Sequence, residues 1–232
     1  LMGLMTKGTS SIPVGSEENI HMNPMDFEEF LWSLDVSEMV ISHVRSHIRN
    51  LEPLDESILQ SMYRYMEWYM IVGGMPEAVK TFVDTKMINS VRMVQRDLLL
   101  GYKDDIGSYS KKNEQDKVER CFDSIATQLS KDNKTFVYGS VEDNPGYGVG
   151  EKYFGYAMNW LSQSHLTLTC DCVSQPRLPL EQNASNPRFK LYLLDTGLLM
   201  SMYDDSIAYD ILNDGVEVNK GALAENLVAC ML

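Results

Sequence analysis

Positive charge is scarce in this sequence. Against 33 Asp and Glu stand 20 Lys and Arg, giving a net charge of -13 over 232 residues. Binding to a phosphate backbone is driven by Lys and Arg that displace counterions, so the balance argues against a protein whose main task is gripping nucleic acid. A local basic patch stays compatible with it. No apolar run approaches the roughly 20 residues of a membrane span, and no membrane partner is expected. Cysteine is sparse: Cys121, Cys170, Cys172 and Cys230 are scattered, with no signal-peptide pattern, so we expect reduced thiols and a cytoplasmic setting. No Gly-x-x-x-x-Gly-Lys-Ser/Thr occurs, so these residues hold no phosphate-binding loop and should not hydrolyse ATP alone. No catalytic set is visible. What is plentiful is methionine, fifteen in all, an adaptable core filler that requires no cofactor.

The chain is organised around Gly73-Gly74-Met75-Pro76. Ile58, Leu59, Met62, Tyr65, Met66, Tyr69 and Met70 before it follow the three-and-four spacing of a helix with one broad buried face. The glycines supply a left-handed end and let neighbouring backbone approach closely, while Pro76 is pre-set to open the next helix. On local sequence alone a plain helix–helix turn explains the joint. Upstream, residues 1–22 read as a strand remnant, a polar loop and a short extended segment. Asp26 and Glu29 then form a capping-box pattern ahead of a stripe at Phe27, Phe30, Leu31 and Leu34. A second helix spans about Ser37 to Arg49. After the joint come helices over Pro76–Val83 and Met87 to about Tyr102, then a polar linker from Gly107 to Asp116. A helix with Val118, Cys121, Phe122, Ile125 and Leu129 on one face follows, and then a strand-like Thr135–Val141. A glycine-rich loop (Gly146, Gly148, Gly150) precedes a helix with Tyr153, Tyr156, Ala157, Trp160 and Leu161 inward. Leu166–Val173 and Phe189–Leu194 read as strands around a proline-bearing turn region. Helix, helix, hairpin is the order of a winged helix. The expected fold class is mainly α, a helical lid-like domain followed by a winged-helix (α+β) domain. Both ends lack terminal character, and we expect the chain to be a middle piece of a longer protein.

Several patterns invite a chemical reading. His43 and His47 are spaced i, i+4, half of a metal site, but no further ligand is signposted and a polar helical face is the default. Glu28 and Glu29 diverge by about 100° on a helix, which suits a solvated face and a cap. Gly146-x-Gly148-x-Gly150 lacks the spacing of a dinucleotide cradle. Asp195-Thr196-Gly197 matches an aspartic-protease triplet superficially, yet such chemistry needs a second carboxylate. Asp195 as the N-cap of a following helix explains the residue more simply. Cys170-x-Cys172 has no second pair nearby, so half-buried strand cysteines are expected. The winged-helix region offers Glu151 beside Lys152, and Lys131 and Lys134 offset by Asp132, Glu142 and Asp143, which favours partner docking over phosphate binding.

Long ordered motifs run through nearly the whole chain: Ile12-Pro13-Val14-Gly15, Met22 to Trp32, Gly73 to Val79, Gln128 to Lys134, Phe189 to Leu199 and Asn219 to Leu227. In these the chain resembles prokaryotic AAA-type ATPases that carry a C-terminal domain of unknown function similar to restriction endonucleases. The resemblance implies the tail of an ATPase core at 1–22, a helical lid at 23–110, a winged helix at 111–205 and the start of a nuclease-like domain at 206–232. It implies ATP with Mg²⁺ in the intact protein and none for this chain alone. Gly73, Gly74 and Pro76 would lie at the adenine, forming a cofactor-binding joint with no catalytic or metal residue. Glu225 would match the first-helix acid of the nuclease-like fold, whose remaining acids are absent here. The partners implied are an adenine nucleotide, the upstream ATPase core, the downstream nuclease-like domain, and a protein or DNA. The family's expected arginine is missing from the Gly146–Gly150 loop, which weakens a nucleic-acid role. A winged-helix DNA-binding regulator with a helical dimerisation domain is the alternative.

Overall fold

The computed structural model describes residues 22–141, 150–213 and 220–232, without the side chains of 181–182 and 185–187. Among the described residues the protein is mainly helical with one two-stranded antiparallel sheet. The expected features at residues 1–21, and at Gly146 and Gly148, lie outside them. The order is α1 (Phe27–Ser33), α2 (Glu38–Asn50), α3 (Glu56–Val72), α4 (Pro76–Thr85), α5 (Ile88–Tyr109), α6 (Gln115–Leu129), α7 (Glu151–Gln163), β1 (Thr167–Val173), β2 (Ala184–Leu193), α8 (Thr196–Ser201), α9 (Asp205–Leu212) and α10 (Lys220–Met231). The chain divides into two compact units, one of Pro24–Leu98 with Asp195–Leu232, the other of Leu99–Leu194 with the segment before Pro24.

The first unit holds α1–α4, the start of α5, and α8–α10. Local rules set its entry points. Asp26 accepts from the Glu29 amide at 2.8 Å while Glu29 accepts from the Asp26 amide at 2.8 Å, the expected capping box of α1. Asp26→Ala should cost about 1 kcal/mol in thermal or urea unfolding, the ordinary worth of an N-cap. Phe30 and Leu31 are buried as expected, and Phe27 and Leu34 are half-buried. Helix α3 ends at Gly73, whose φ of 73° suits glycine, and Pro76 opens α4. Helix α8, within the expected winged-helix span, packs on α3, as do α9 and α10, which cover most of the stretch from 206 to 232.

In the second unit α6 and α7 pack together, with the β1–β2 hairpin against them. The stripe expected on α6 is buried throughout, Val118, Cys121, Phe122, Ile125 and Leu129. Four local expectations are corrected. Helix α5 continues to Tyr109, past the expected end near Tyr102 and into the expected linker, because Tyr102, Ile106 and Ser110 carry the buried stripe on at four-residue steps. Thr135–Val141 is not a strand but holds a 3-10 turn at Tyr138–Ser140. Its amides are taken locally, Thr135 by the Asn133 side chain at 3.2 Å and Val137 by Gln128 Oε1 at 2.6 Å, while Phe136 donates to β2, at Phe189 O, 2.8 Å. On α7 the inward face is Phe154, Ala157, Trp160 and Leu161. Tyr153 is exposed beneath the Lys117 ammonium, 4.0 Å from its ring centre, and half-buried Tyr156 accepts the Lys111 amide at 2.9 Å. Finally, β2 begins at Ala184, ahead of the expected Phe189. Its ladder with β1 is regular from Thr167–Leu193 to Asp171–Phe189, then breaks before Val173–Ala184.

Candidate functional site

Two sequence motifs read separately, Gly73-Gly74-Met75-Pro76 and Asp195-Thr196-Gly197, meet in the first unit although Gly74 and Asp195 are 121 residues apart. Asp195 is 2% exposed. Its Oδ1 accepts from the Leu198 amide at 2.9 Å, capping α8 as expected, and its Oδ2 accepts from the Gly74 amide at 2.6 Å. The Gly74 carbonyl in turn accepts from the Met25 amide at 2.8 Å, and Tyr69 donates its hydroxyl to the Met25 carbonyl at 2.7 Å. Gln95 donates Nε2 to the carbonyls of Ile71 at 2.8 Å and Val72 at 2.9 Å, serving acceptors that the end of α3 leaves open.

Three glycines make the packing possible. A Cβ on Gly73 would stand 2.2 Å from Asp195 Oδ1, one on Gly74 2.0 Å from the Met25 carbonyl oxygen, and one on Gly197 2.3 Å from the Val72 carbonyl oxygen. The missing side chains are therefore spent on backbone and carboxylate of the same chain. Of the three residues expected at a cofactor, Gly73 and Gly74 are buried in this node and Pro76 is exposed at its edge.

The electrostatics follow from burial. Loss of water pushes the Asp195 pKa up to about 6 from 3.8, opposed by the amides of Gly74, Leu198 and Gly197. Burial and the Asp195 charge push the Cys230 thiol up to about 12 and raise the Tyr69 hydroxyl. Both neighbours stay neutral, so Asp195 is the group that changes charge in mild acid. This carboxylate is a structural acceptor, bonded to amides that position two helices. At the other end of α8, buried Arg92 reaches Asp205 Oδ1 at 2.5 Å and the carbonyls of Met200 at 3.2 Å and Tyr203 at 2.9 Å, fixing that end to α9. Met25, Gln95 and Arg92 were not singled out from the sequence. The available signal was the spacing of Arg92 and Gln95 beside buried Val91 on α5, polar residues where the helix turns inward.

The remaining candidates stay apart from the node. The His43 and His47 rings lie 4.1 Å apart on α2, with His47 Nδ1 at 3.0 Å from the His43 carbonyl. Among the described residues no group of three His, Cys, Asp or Glu side chains is placed to hold a metal, and Glu225 on α10 belongs to none. Cys170 and Cys172 are exposed, not half-buried as expected, since along β1 only Thr167 is buried and exposure begins at Thr169. A cavity of about 590 Å³ opens between α1, α2 and α3, with Leu31, Ile41, Met62 and Met66 in its wall and Arg45 and Arg49 in its lining.

A family model described as a domain of unknown function, DUF8612, matches residues 63–207, more than half of the chain. The chain belongs to the DUF8612 family. No curated protein and no solved structure matches it. The DUF8612 match shows neither an AAA-type ATPase nor a nuclease-like domain, and its description names no activity. It does contain both Gly73-Gly74 and Asp195-Thr196-Gly197, so the two halves of the buried node lie within the DUF8612 residues. No described helix is long and apolar enough to cross a membrane.

Proposed function

We propose that this chain is the lid and winged-helix part of a AAA-type ATP-binding protein, acting as a nucleotide-dependent switch. The observation that carries the reading is the helix–Gly-Gly-x-Pro–helix joint, whose buried half is bonded to the cap of α8 while its proline edge stays open. A base resting on Pro76 would bear on a joint that is fixed, through Gly74 and Asp195, to the start of α8. In the chain, β2 ends only two residues before Asp195. Nucleotide occupancy at the joint would thereby bias the packing of α8 and the conformation of the segment leading into it. Because the faces of Gly73 and Gly74 are filled, Pro76 is the member of the expected trio left to touch adenine. ATP and its Mg²⁺ would be held by the upstream core, consistent with the missing phosphate loop here.

The winged-helix assignment draws support from the order α6, α7, β1, β2 and from the Phe136–Phe189 backbone bond, which ties the segment after α6 to the hairpin. A DNA-binding regulator is the weaker alternative, since the solvent face of α7 begins with Glu151 beside Lys152. A protein partner or the neighbouring domains of the same protein suit that face better than phosphate.

Pro76→Ala tests the switch. The residue is exposed, so the fold should survive, and in the intact protein the affinity for a fluorescent ATP analogue should fall roughly tenfold, about 1.4 kcal/mol. Unchanged affinity would remove the adenine contact. A DNA affinity that falls steeply with salt would instead favour the regulator.

A further inference from the structure

We propose that Cys170 and Cys172 form a two-coordinate site for a soft monovalent cation of the Cu(I) type on the exposed end of β1. The observation is the placement of two thiols where cysteine is seldom left. Free cysteine is among the most buried residue types; Cys121 is 0% exposed, and Cys230 is half-buried with its sulfur 3.5 Å from Asn226 Nδ2. Cys170 and Cys172 are both exposed, and among the described residues neither thiol has a hydrogen-bond partner. They add nothing to packing.

Strand geometry decides what the pair can do. Residues i and i+2 of a strand project to the same face, so both thiols stand on one side of the hairpin. Cys170 sits in the regular part of the ladder opposite Lys190, whereas Cys172 lies at the break between Asp171 and Val173. The rise per residue separates the two positions by about 6.6 Å along the strand. A disulfide needs Cβ atoms about 3.5–4.5 Å apart, so direct S–S closure would require β1 to buckle. A metal bridge does not. Two metal–sulfur bonds of about 2.3 Å in line span about 4.6 Å between sulfurs, which two thiols leaning together across the strand can meet. Thiolates select soft cations, and no third His, Cys, Asp or Glu completes a cluster among the described residues. Zn²⁺ with its preference for four ligands is therefore disfavoured relative to a cation content with two. Binding releases two thiol protons to solvent and oxidises nothing.

The test is an anaerobic titration of the reduced protein with Cu(I) supplied as its bicinchoninate complex. The chain should withdraw one equivalent from the chelator. Cys170→Ser and Cys172→Ser should each lower the affinity at least 100-fold, with the helical circular dichroism unchanged because both positions are exposed. Retention by the double serine variant equal to that of the natural chain would overturn the site. So would wild-type affinity in either single variant, since one thiol would then suffice. Zn²⁺ retained as tightly as Cu(I) would overturn the two-coordinate assignment.

Discussion

Gly74→Ala should destabilise the protein by about 4 kcal/mol or more, among the larger effects a single methyl group can have. The added Cβ would lie 2.0 Å from the Met25 carbonyl oxygen, 2.8 Å from its amide nitrogen and 2.9 Å from its carbonyl carbon. All three are backbone atoms, so no rotamer change can relieve the contact. Overpacking typically costs about 1–3 kcal/mol. Here relief also requires α1's entry segment to withdraw, breaking the Met25–Gly74 and Gly74–Asp195 hydrogen bonds. A charge-assisted bond of the latter kind is worth about 1.5–3 kcal/mol. Urea unfolding followed by circular dichroism measures the loss. Gly101→Ala is a suitable control, since that position is exposed and a Cβ there meets nothing within 4 Å. A Gly74→Ala variant as stable as the Gly101→Ala control would refute the close approach.

Asp195→Ala should cost about 3–5 kcal/mol at neutral pH. It leaves the buried amides of Gly74 and Leu198 without acceptors, at about 1–3 kcal/mol each, the Leu198 bond being the N-cap of α8. Asp195→Asn is the more informative change because it separates shape from charge. The natural carboxyl holds its proton more tightly when folded, with a pKa of about 6 against 3.8. Between those values the folded state binds more protons than the unfolded one, so stability falls as pH rises from about 4 to 6. Above that window the deficit levels off at about 3 kcal/mol, the free energy of a shift of this size. Other carboxyls titrate in the same range, so the difference between natural and variant stability across pH is the quantity to read. Asparagine does not titrate, and the downward component between pH 4 and 6 should vanish in Asp195→Asn. Parallel profiles for the two proteins would show that Asp195 is not the buried acid described.

Local order was legible in the residues themselves. The Asp26–Glu29 box, the positive φ at Gly73, Pro76 at the first turn of α4 and Asp195 at the start of α8 each depend on a few neighbouring side chains and the backbone between them. The α6 stripe was legible for the same reason, since one period repeats over four turns. Local signals compete at Lys103-Asp104-Asp105, which has the composition of a helix end, yet α5 runs through it to Tyr109 because only its solvent face is polar.

Tertiary structure alone decided what fills the space the glycines leave. Spacing shows that Gly73, Gly74 and Gly197 allow a close approach; it does not name Asp195, Met25 and Val72 as the groups that make it. It likewise does not show that the cap of α8 also holds Gly74, or that Cys170 and Cys172 stand in the open. The physical reason is range. A cap or a helical stripe is set by energies within one or two turns, whereas burial, desolvation of a carboxylate and occupation of a glycine's free face are set by segments far apart in the chain.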